Sequence, residues 1–333
     1  MSKRNCLKPL RMWIDGKCYN IRRYDRKKYK SLTHIPHKAE DQKIQRFSEK
    51  IHLPSIYYSK LVGYENPEIN AVQSETNTII RYPTNGKDGF LEILGETMES
   101  IDEAKEQMYS FIADIRNQLS ALQFISIPLS SPEIKQNFEK FKEEILANNY
   151  QGVEESIFQS VLKLHLTIAV FTLLDDKERH EALDVLREVK NSFEKTEVPL
   201  KIRVKGLNCM NANYSKVNVL YAEASLAEDS KSEESLQKIA DSILNTFYER
   251  GLCREYSENV KLHVTLMNTK YRKKAVGSPR KKLFKRETFD ATQIMEHFKD
   301  YYFGVAAFNT IHLSLMSSVG KDGFYESLGT VQI

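Results

Sequence analysis

Two short segments constrain this chain more than anything else in it. Lys163-Leu164-His165-Leu166-Thr167-Ile168 and Lys261-Leu262-His263-Val264-Thr265-Leu266 share one pattern, K-L-H-Φ-T-Φ, where Φ is apolar. Apolar and polar residues alternate through both, the period of a half-buried β-strand. Side chains two apart on a strand share a face. Each histidine therefore points the same way as the threonine two positions on, and the flanking leucines, valine and isoleucine point into a core. A fold that satisfies both copies has to hold two equivalent strands in two similar surroundings. Brought together, they put two imidazoles and two hydroxyls in one cleft. One imidazole can take a proton from an attacking hydroxyl or water while the other protonates a leaving oxygen, because the histidine pKa lies near working pH. The hydroxyls can hydrogen-bond the non-bridging oxygens of a phosphate between them. Lys163 and Lys261 precede each histidine by two residues, share its face and can neutralise that phosphate. His165 and His263 are thus the expected catalytic pair, with Thr167, Thr265, Lys163 and Lys261 on the phosphate. This is phosphodiester acid–base chemistry that needs no metal, and no cofactor is expected.

Around the motifs the pattern predicts strands over 124–129, 162–174, 200–210, 217–226, 260–268, 305–316 and 324–333. Helices are expected from Pro132, over 175–193 and 233–251, and within 289–302. Strands and helices alternate twice in a similar order, as expected for an internal duplication of an α+β lobe. His312 is read as structural. His34, His37, His52, His180 and His297 show no ligand spacing.

Residues 47–119 carry a different pattern. A strand over 47–53 and a helix over 54–62 are followed by the break Gly63-Tyr64-Glu65-Asn66. Asn66 and Pro67 then suit the cap and first turn of a second helix. Strands over 76–82 and 90–94 precede a helix from Met98 to about Leu119, with Ile101, Ala104, Met108, Phe111, Ile112 and Ile115 on one face. This β-α-α-β-β-α order, with Gly63 between two short helices, resembles a KH domain, an RNA-binding module that grips nucleotides with a GXXG loop. The loop departs from that motif: its second Gly and basic pair are missing, and Glu65 repels phosphate. Tyr64 still offers a stacking face, and Asn66 opens a helix whose free N–H groups can meet an anion.

The 333 residues allow about two domains at roughly 100–200 residues each, and 41% hydrophobic against 28% charged residues can bury real cores. The net charge of +4 hides an asymmetry. Residues 1–45 hold 13 Lys and Arg against 4 Asp and Glu. A basic arm on a mildly acidic body suits an anionic partner such as nucleic acid. Within the arm, residues 10–21 read as a hairpin turning at Asp15-Gly16, which either packs on the body or awaits a partner, and 22–46 as a linker. The segment 271–286 follows the second motif directly. It contains Arg272, Lys273, Lys274, Arg280, Lys281 and Lys282, a basic loop that can guide a phosphate backbone beside the cleft. No apolar run of about 18 residues and no signal-peptide core is present, so an intracellular protein without a membrane partner is expected. Cys6, Cys18, Cys209 and Cys253 are scattered without C-x-x-C spacing and suit reduced thiols.

The paired motifs resemble the two-histidine (2H) phosphoesterase superfamily, which includes RNA ligase-like and cyclic phosphodiesterases. The combination of the KH-like segment, Lys261-Leu262-His263-Val264-Thr265-Leu266-Met267-Asn268-Thr269, the run from Tyr301 to Gly304 and Ile311-His312-Leu313-Ser314 spans nearly the whole chain. It is similar to a family of cointegrator-complex subunits, as is the opening segment Ile14-Asp15-Gly16-Lys17-Cys18-Tyr19. The resemblance implies an α+β protein: a basic hairpin and linker over 1–46, a KH-like domain over 47–119, and a bilobal two-histidine phosphoesterase-like domain over 120–333. It implies His165, Thr167, His263 and Thr265 as the active-site set acting on RNA or 2′,3′-cyclic phosphate ends. It further implies binding of single-stranded RNA or other single-stranded nucleic acid, a nuclear location, and association with a helicase subunit through the N-terminal segment in transcription and alkylation-damage repair. The alternative in that setting is a scaffold subunit that binds nucleic acid without turnover.

Overall fold

The computed structural model describes residues 10–22, 47–61, 67–83, 88–193, 200–227, 235–253, 259–272 and 286–333. The chain forms two compact units. The first takes residues 1–122, 171–185 and 246–256; the second takes the remainder.

The first unit begins with the expected hairpin, β1 (Leu10–Ile14) and β2 (Lys17–Ile21), turning through Asp15 and Gly16, both at positive φ. It packs on the body. Met12, Trp13 and Ile14 are buried, the Trp13 amide donates to the Gly251 carbonyl at 2.9 Å, and Arg11 pairs with Glu249. Gly251 sits at φ +74°, and a Cβ there would lie 2.7 Å from the Trp13 nitrogen. Only a residue without a side chain allows that approach. Gly251→Ala is expected to push the hairpin off its seat, read as a red shift in the emission of Trp13, the single tryptophan of the chain.

The next elements follow the anticipated order: β3 (Phe47–Leu53), α1 (Ser55–Leu61), α2 (Pro67–Thr76), β4 (Ile79–Arg81), β5 (Gly89–Gly95) and α3 (Met98–Gln118). The three strands pair antiparallel in the order β3-β5-β4. Thr97 caps α3 by accepting from the Ser100 amide at 3.2 Å. The expected apolar face, Ile101, Ala104, Met108, Phe111, Ile112 and Ile115, is buried in the unit's core. Arg116, one residue further on, is also buried. It donates to the Tyr57 hydroxyl at 2.7 Å and pairs with buried Glu178. The linker over 23–46 and the loop with Tyr64 and Asn66 lie outside the described residues.

The second unit is organised around one eight-stranded sheet. Its elements are β6 (Gln123–Pro128), α4 (Pro132–Ala147), β7 (His165–Phe171), β8 (Lys201–Cys209), β9 (Val219–Leu226), β10 (Val264–Asn268), α7 (Thr292–Phe298), β11 (Tyr302–Ala307), β12 (Thr310–Leu315) and β13 (Ser327–Gln332). The helices α5 (Asp176–Ser192) and α6 (Leu236–Glu249) each belong partly to both units. The strand order is β11-β8-β9-β10-β7-β6-β12-β13, which leaves the two motif strands adjacent at the centre. Four strands therefore stand on each side of the β7–β10 seam, in keeping with two lobes. The lobes are nested rather than tandem: β8 to β11 are inserted between β6–β7 and β12–β13.

That nesting corrects one expectation. The single strand expected over 305–316 is two strands broken at Phe308 and Asn309. The first pairs with β8 at one edge of the sheet and the second with β6 beyond the seam. No Gly or Pro marks the break; the polar pair Asn309-Thr310 shifts the buried positions from Ala306 and Phe308 to Ile311 and Leu313, and the pairing partners separate the two strands. The strands expected over 162–174 and 260–268 are also shorter. Residues 161–163 form a 3₁₀ turn, and β10 starts at Val264.

Candidate active site

His165 is the first residue of β7, and His263 immediately precedes β10. The strands run antiparallel with Leu166 opposite Val264. His165 and Thr167 flank Leu166, and His263 and Thr265 flank Val264. Directly opposed residues share a face, so Leu166 and Val264 point one way and the four polar side chains of the motifs point the other. Leu166, Ile168, Val264 and Leu266 are buried on the opposite face. Beyond Val264, β10 leaves β7. Its next partners are Phe158, bridged to Met267, and the Gln159 amide, which donates to the Leu266 carbonyl at 2.8 Å.

The two imidazoles are oriented by the same bond. His165 Nδ1 lies 2.7 Å from the Lys163 carbonyl and His263 Nδ1 lies 2.6 Å from the Lys261 carbonyl. A carbonyl only accepts, so each Nδ1 carries the hydrogen and each neutral ring presents Nε2 as a lone pair. The Thr167 hydroxyl is 3.1 Å from His165 Nε2 and donates to it. The carbonyl comes from the residue two positions back in both copies, so the K-L-H spacing itself sets the tautomer.

The surroundings of the two rings differ. His165 packs against Phe124 at 5.3 Å, Tyr325 at 5.3 Å and Phe324 at 6.0 Å between ring centroids. Burial lowers its pKa from 6.5 to about 4, aided by the charges of His263 and Lys163 and opposed by the bond to the Lys163 carbonyl. His263 has one described aromatic neighbour, Tyr221 at 5.7 Å. Its pKa is also lowered, by burial first and the Lys261 charge last, against the Lys261 carbonyl. The His263 charge acts on His165, so the two titrate as neighbours.

The lysines do not extend along strands as expected. Lys163 ends the 3₁₀ turn, donates to the Ser318 carbonyl at 2.7 Å and sits 4.5 Å over the Tyr325 ring. Lys261 lies in the segment before β10, with its ammonium 5.2 Å over the Tyr221 ring. Each half of the site thus repeats a histidine, a tyrosine against it, and a lysine on the tyrosine's face. The tyrosines are absent from the sequence reading. Tyr221 could have been found as the residue that β9 sets opposite Thr265, but that register is tertiary. Tyr325 follows a turn and carries no periodic signal.

The other anticipated residues separate. Arg272 is held by the Gly152 carbonyl at 2.7 Å and by Glu154 at 3.2 Å. Lys273, Lys274, Arg280, Lys281 and Lys282 lie outside the described residues. His312 faces Thr310 at 3.2 Å and packs on Phe324 at 5.6 Å.

Comparison with known proteins gives this arrangement a family. Residues 123–333 match the AKAP7 2'5' RNA ligase-like domain. Activating signal cointegrator 1 complex subunit 1 of Mus musculus is 31% identical over 299 residues, covering 86% of this chain and 83% of the mouse protein. A solved structure described as a crystal structure of phosphoesterase aligns at a TM-score of 0.38 and 14% identity, covering 64% of this chain and 99% of its own. With its terminal two-histidine domain and a likeness that runs most of the length of both chains, this protein belongs to the family of activating signal cointegrator 1 complex subunit 1.

Proposed function

We propose that this chain is a metal-independent phosphodiesterase that acts on RNA phosphodiesters or 2′,3′-cyclic phosphate ends. The observation that carries the proposal is the matched pair of Nδ1–carbonyl bonds. Two unrelated surface histidines have no reason to share a tautomer, an orienting group and a threonine two residues on. His165 is the more enclosed and the more strongly held neutral, and serves as the general base. His263 serves as the general acid. Thr167 and Thr265 hold the non-bridging oxygens, and Lys163 and Lys261 offset the phosphate charge from their tyrosine faces. A 2′-hydroxyl attacking its own phosphate expels the 5′-oxygen, which leaves with the proton from His263. Water attacking a cyclic phosphate opens the ring by the same exchange.

In this proposal the β-α-α-β-β-α segment over 47–119 is a KH-like RNA-binding domain, with Tyr64 and Asn66 in its loop and the basic residues of 272–282 on the nucleic-acid backbone. The chain works in the nucleus as a subunit of a helicase-containing cointegrator complex in transcription coactivation and alkylation-damage repair, with the N-terminal segment towards the helicase. The depressed pKa of both histidines supports a second reading. In the free protein neither imidazole is charged at neutral pH, as suits a scaffold that holds a phosphate without turning it over.

The test is turnover of a short single-stranded RNA and of a 2′,3′-cyclic-phosphate oligonucleotide in EDTA. Turnover establishes the enzyme and identifies the bond. RNA binding without turnover moves the assignment to the scaffold. The pH profile adds a signed expectation. The base is active above its pKa of about 4, and the acid is active below its own, which lies under 6.5. So kcat/KM is expected to be bell-shaped, with its maximum between about pH 4 and 6.5. Folding stability follows the same groups. The unfolded chain takes up protons on these histidines where the folded chain does not, so stability falls as pH drops through that window.

A further inference from the structure

Beside the His165 half of the site lies a polar cluster that shares Lys163 and Tyr325 with it and adds groups the two-histidine chemistry does not use. Gln159 is buried, 8% exposed, and every polar group on it is engaged. Its backbone amide donates to the Leu266 carbonyl, its Oε1 accepts from the Ser160 amide at 3.0 Å, and its Nε2 donates to the Tyr271 hydroxyl at 3.0 Å. The same side chain acts on the Tyr325 hydroxyl, drawing its pKa down against burial. An amide NH₂ has two hydrogens and no lone pair to offer, so Gln159 donates to the Tyr271 phenol and has a second hydrogen on the side of Tyr325. Each phenol oxygen therefore has its own hydrogen left to give, and neither phenol has another hydrogen-bond partner among the described residues. The charge of Tyr325 acts on Tyr271, so the two phenols are neighbours that a single phosphate group can meet together.

Cations flank the pair on both sides. Lys163 lies over the Tyr325 ring. Arg286 acts electrostatically on Tyr271. It is fixed by Nε to the Thr269 hydroxyl at 2.7 Å and by Nη2 to the Asn218 carbonyl at 3.3 Å, leaving Nη1 without a described partner. Both phenols titrate above their ordinary value, burial being the first cause, so both keep their protons at neutral pH. The cluster thus offers phenol hydrogens and positive charge, with the amide oxygen of Gln159 already engaged by the Ser160 amide. That suits phosphate oxygens and not a base edge, which presents donors and acceptors together.

We propose that Tyr271 and Tyr325, aimed by Gln159 and flanked by Lys163 and Arg286, form a second phosphate subsite that takes the phosphate adjoining the reacting one in an oligonucleotide. The subsite rests on the phosphodiesterase reading for its neighbour and selects oligonucleotides over single nucleotides. It also lies on the His165 side alone, because Tyr221 in the other half has no counterpart of Gln159 among the described residues.

The probe is a short RNA with a single neutral methylphosphonate moved along its linkages, with affinity measured by fluorescence anisotropy on the full chain. The parent protein is expected to lose roughly 5- to 20-fold in affinity when the methylphosphonate occupies one linkage, as for loss of a charge-assisted contact. In Tyr271→Phe, which keeps the ring, that phosphate-to-methylphosphonate ratio is expected to fall to about 1–3. Gln159→Glu, which withdraws the donors and adds repulsion, should abolish it, with the circular dichroism melt confirming a folded protein. If no linkage in the parent shows a preference, or if Tyr271→Phe keeps the full ratio, the subsite is overturned. A preference without any RNA turnover leaves the subsite standing and refutes the phosphodiesterase.

Discussion

His165→Ala and His263→Ala are each expected to lower kcat by roughly 10²- to 10⁴-fold, the usual contribution of a positioned acid or base. The double variant should lose little beyond the worse single one, because acid and base act in one step. RNA affinity should stay within about 2-fold of the parent, since the neutral imidazoles contribute orientation and proton transfer while threonine and lysine hold the charge. Single-turnover rates alongside anisotropy titrations measure both quantities. Full activity in either single variant would sink the two-histidine mechanism. An equal loss of binding and rate would mean the imidazoles hold the phosphate without exchanging protons with it.

The largest effect on folding is expected at Arg116. Arg116 is 6% exposed, and its guanidinium meets Glu178, a residue 3% exposed, and the hydroxyl of Tyr57, a residue 1% exposed. Glu178 also accepts from the Leu174 amide at 2.7 Å. Burial pushes the Glu178 carboxyl up, and the Arg116 charge pulls it back. Arg116→Ala leaves that carboxylate buried without its cation, which costs about 3–5 kcal/mol. Removing both charges together, as Arg116→Met with Glu178→Gln, should recover most of the loss, because the desolvation of an uncompensated ion disappears. Trp13 lies in the same unit and is 7% exposed, so urea unfolding followed by its emission reads the change directly. A single variant that unfolds at the parent's midpoint would show that the pair contributes no stability.

Local chemistry made several elements legible. The period of 3–4 apolar residues from Ile101 to Ile115 specified α3, because one face of a helix has to be buried wherever the helix ends up. Asp15-Gly16 specified a hairpin because few residues accept positive φ at both central positions of the turn. The K-L-H-Φ-T-Φ repeat specified four polar side chains on two strands. Other features were not local. The break at Phe308 and Asn309 carries no Gly or Pro and shows only as a one-residue shift in the alternation, and its consequence, that β11 and β12 stand on opposite sides of the seam, depends on which strands they meet. The lysines were placed on strands when they sit before them, since a 3₁₀ turn and a strand start read alike in six residues.

The sequence by itself determined which side chains form the candidate site, and it determined that there are two equivalent sets. Alternation is a property of neighbours along the chain, and the carbonyl that sets each histidine's tautomer lies only two residues away. The tertiary structure alone decided that the sets are adjacent, that Leu166 meets Val264 between them, and that the halves are unequal. His165 is enclosed by Phe124, Phe324 and Tyr325, which come from β6 and from the loop before β13, while His263 has Tyr221 from β9. Desolvation depends on every atom around a ring, whatever its distance along the chain. The difference between the two histidines of one repeated motif is therefore written in the packing.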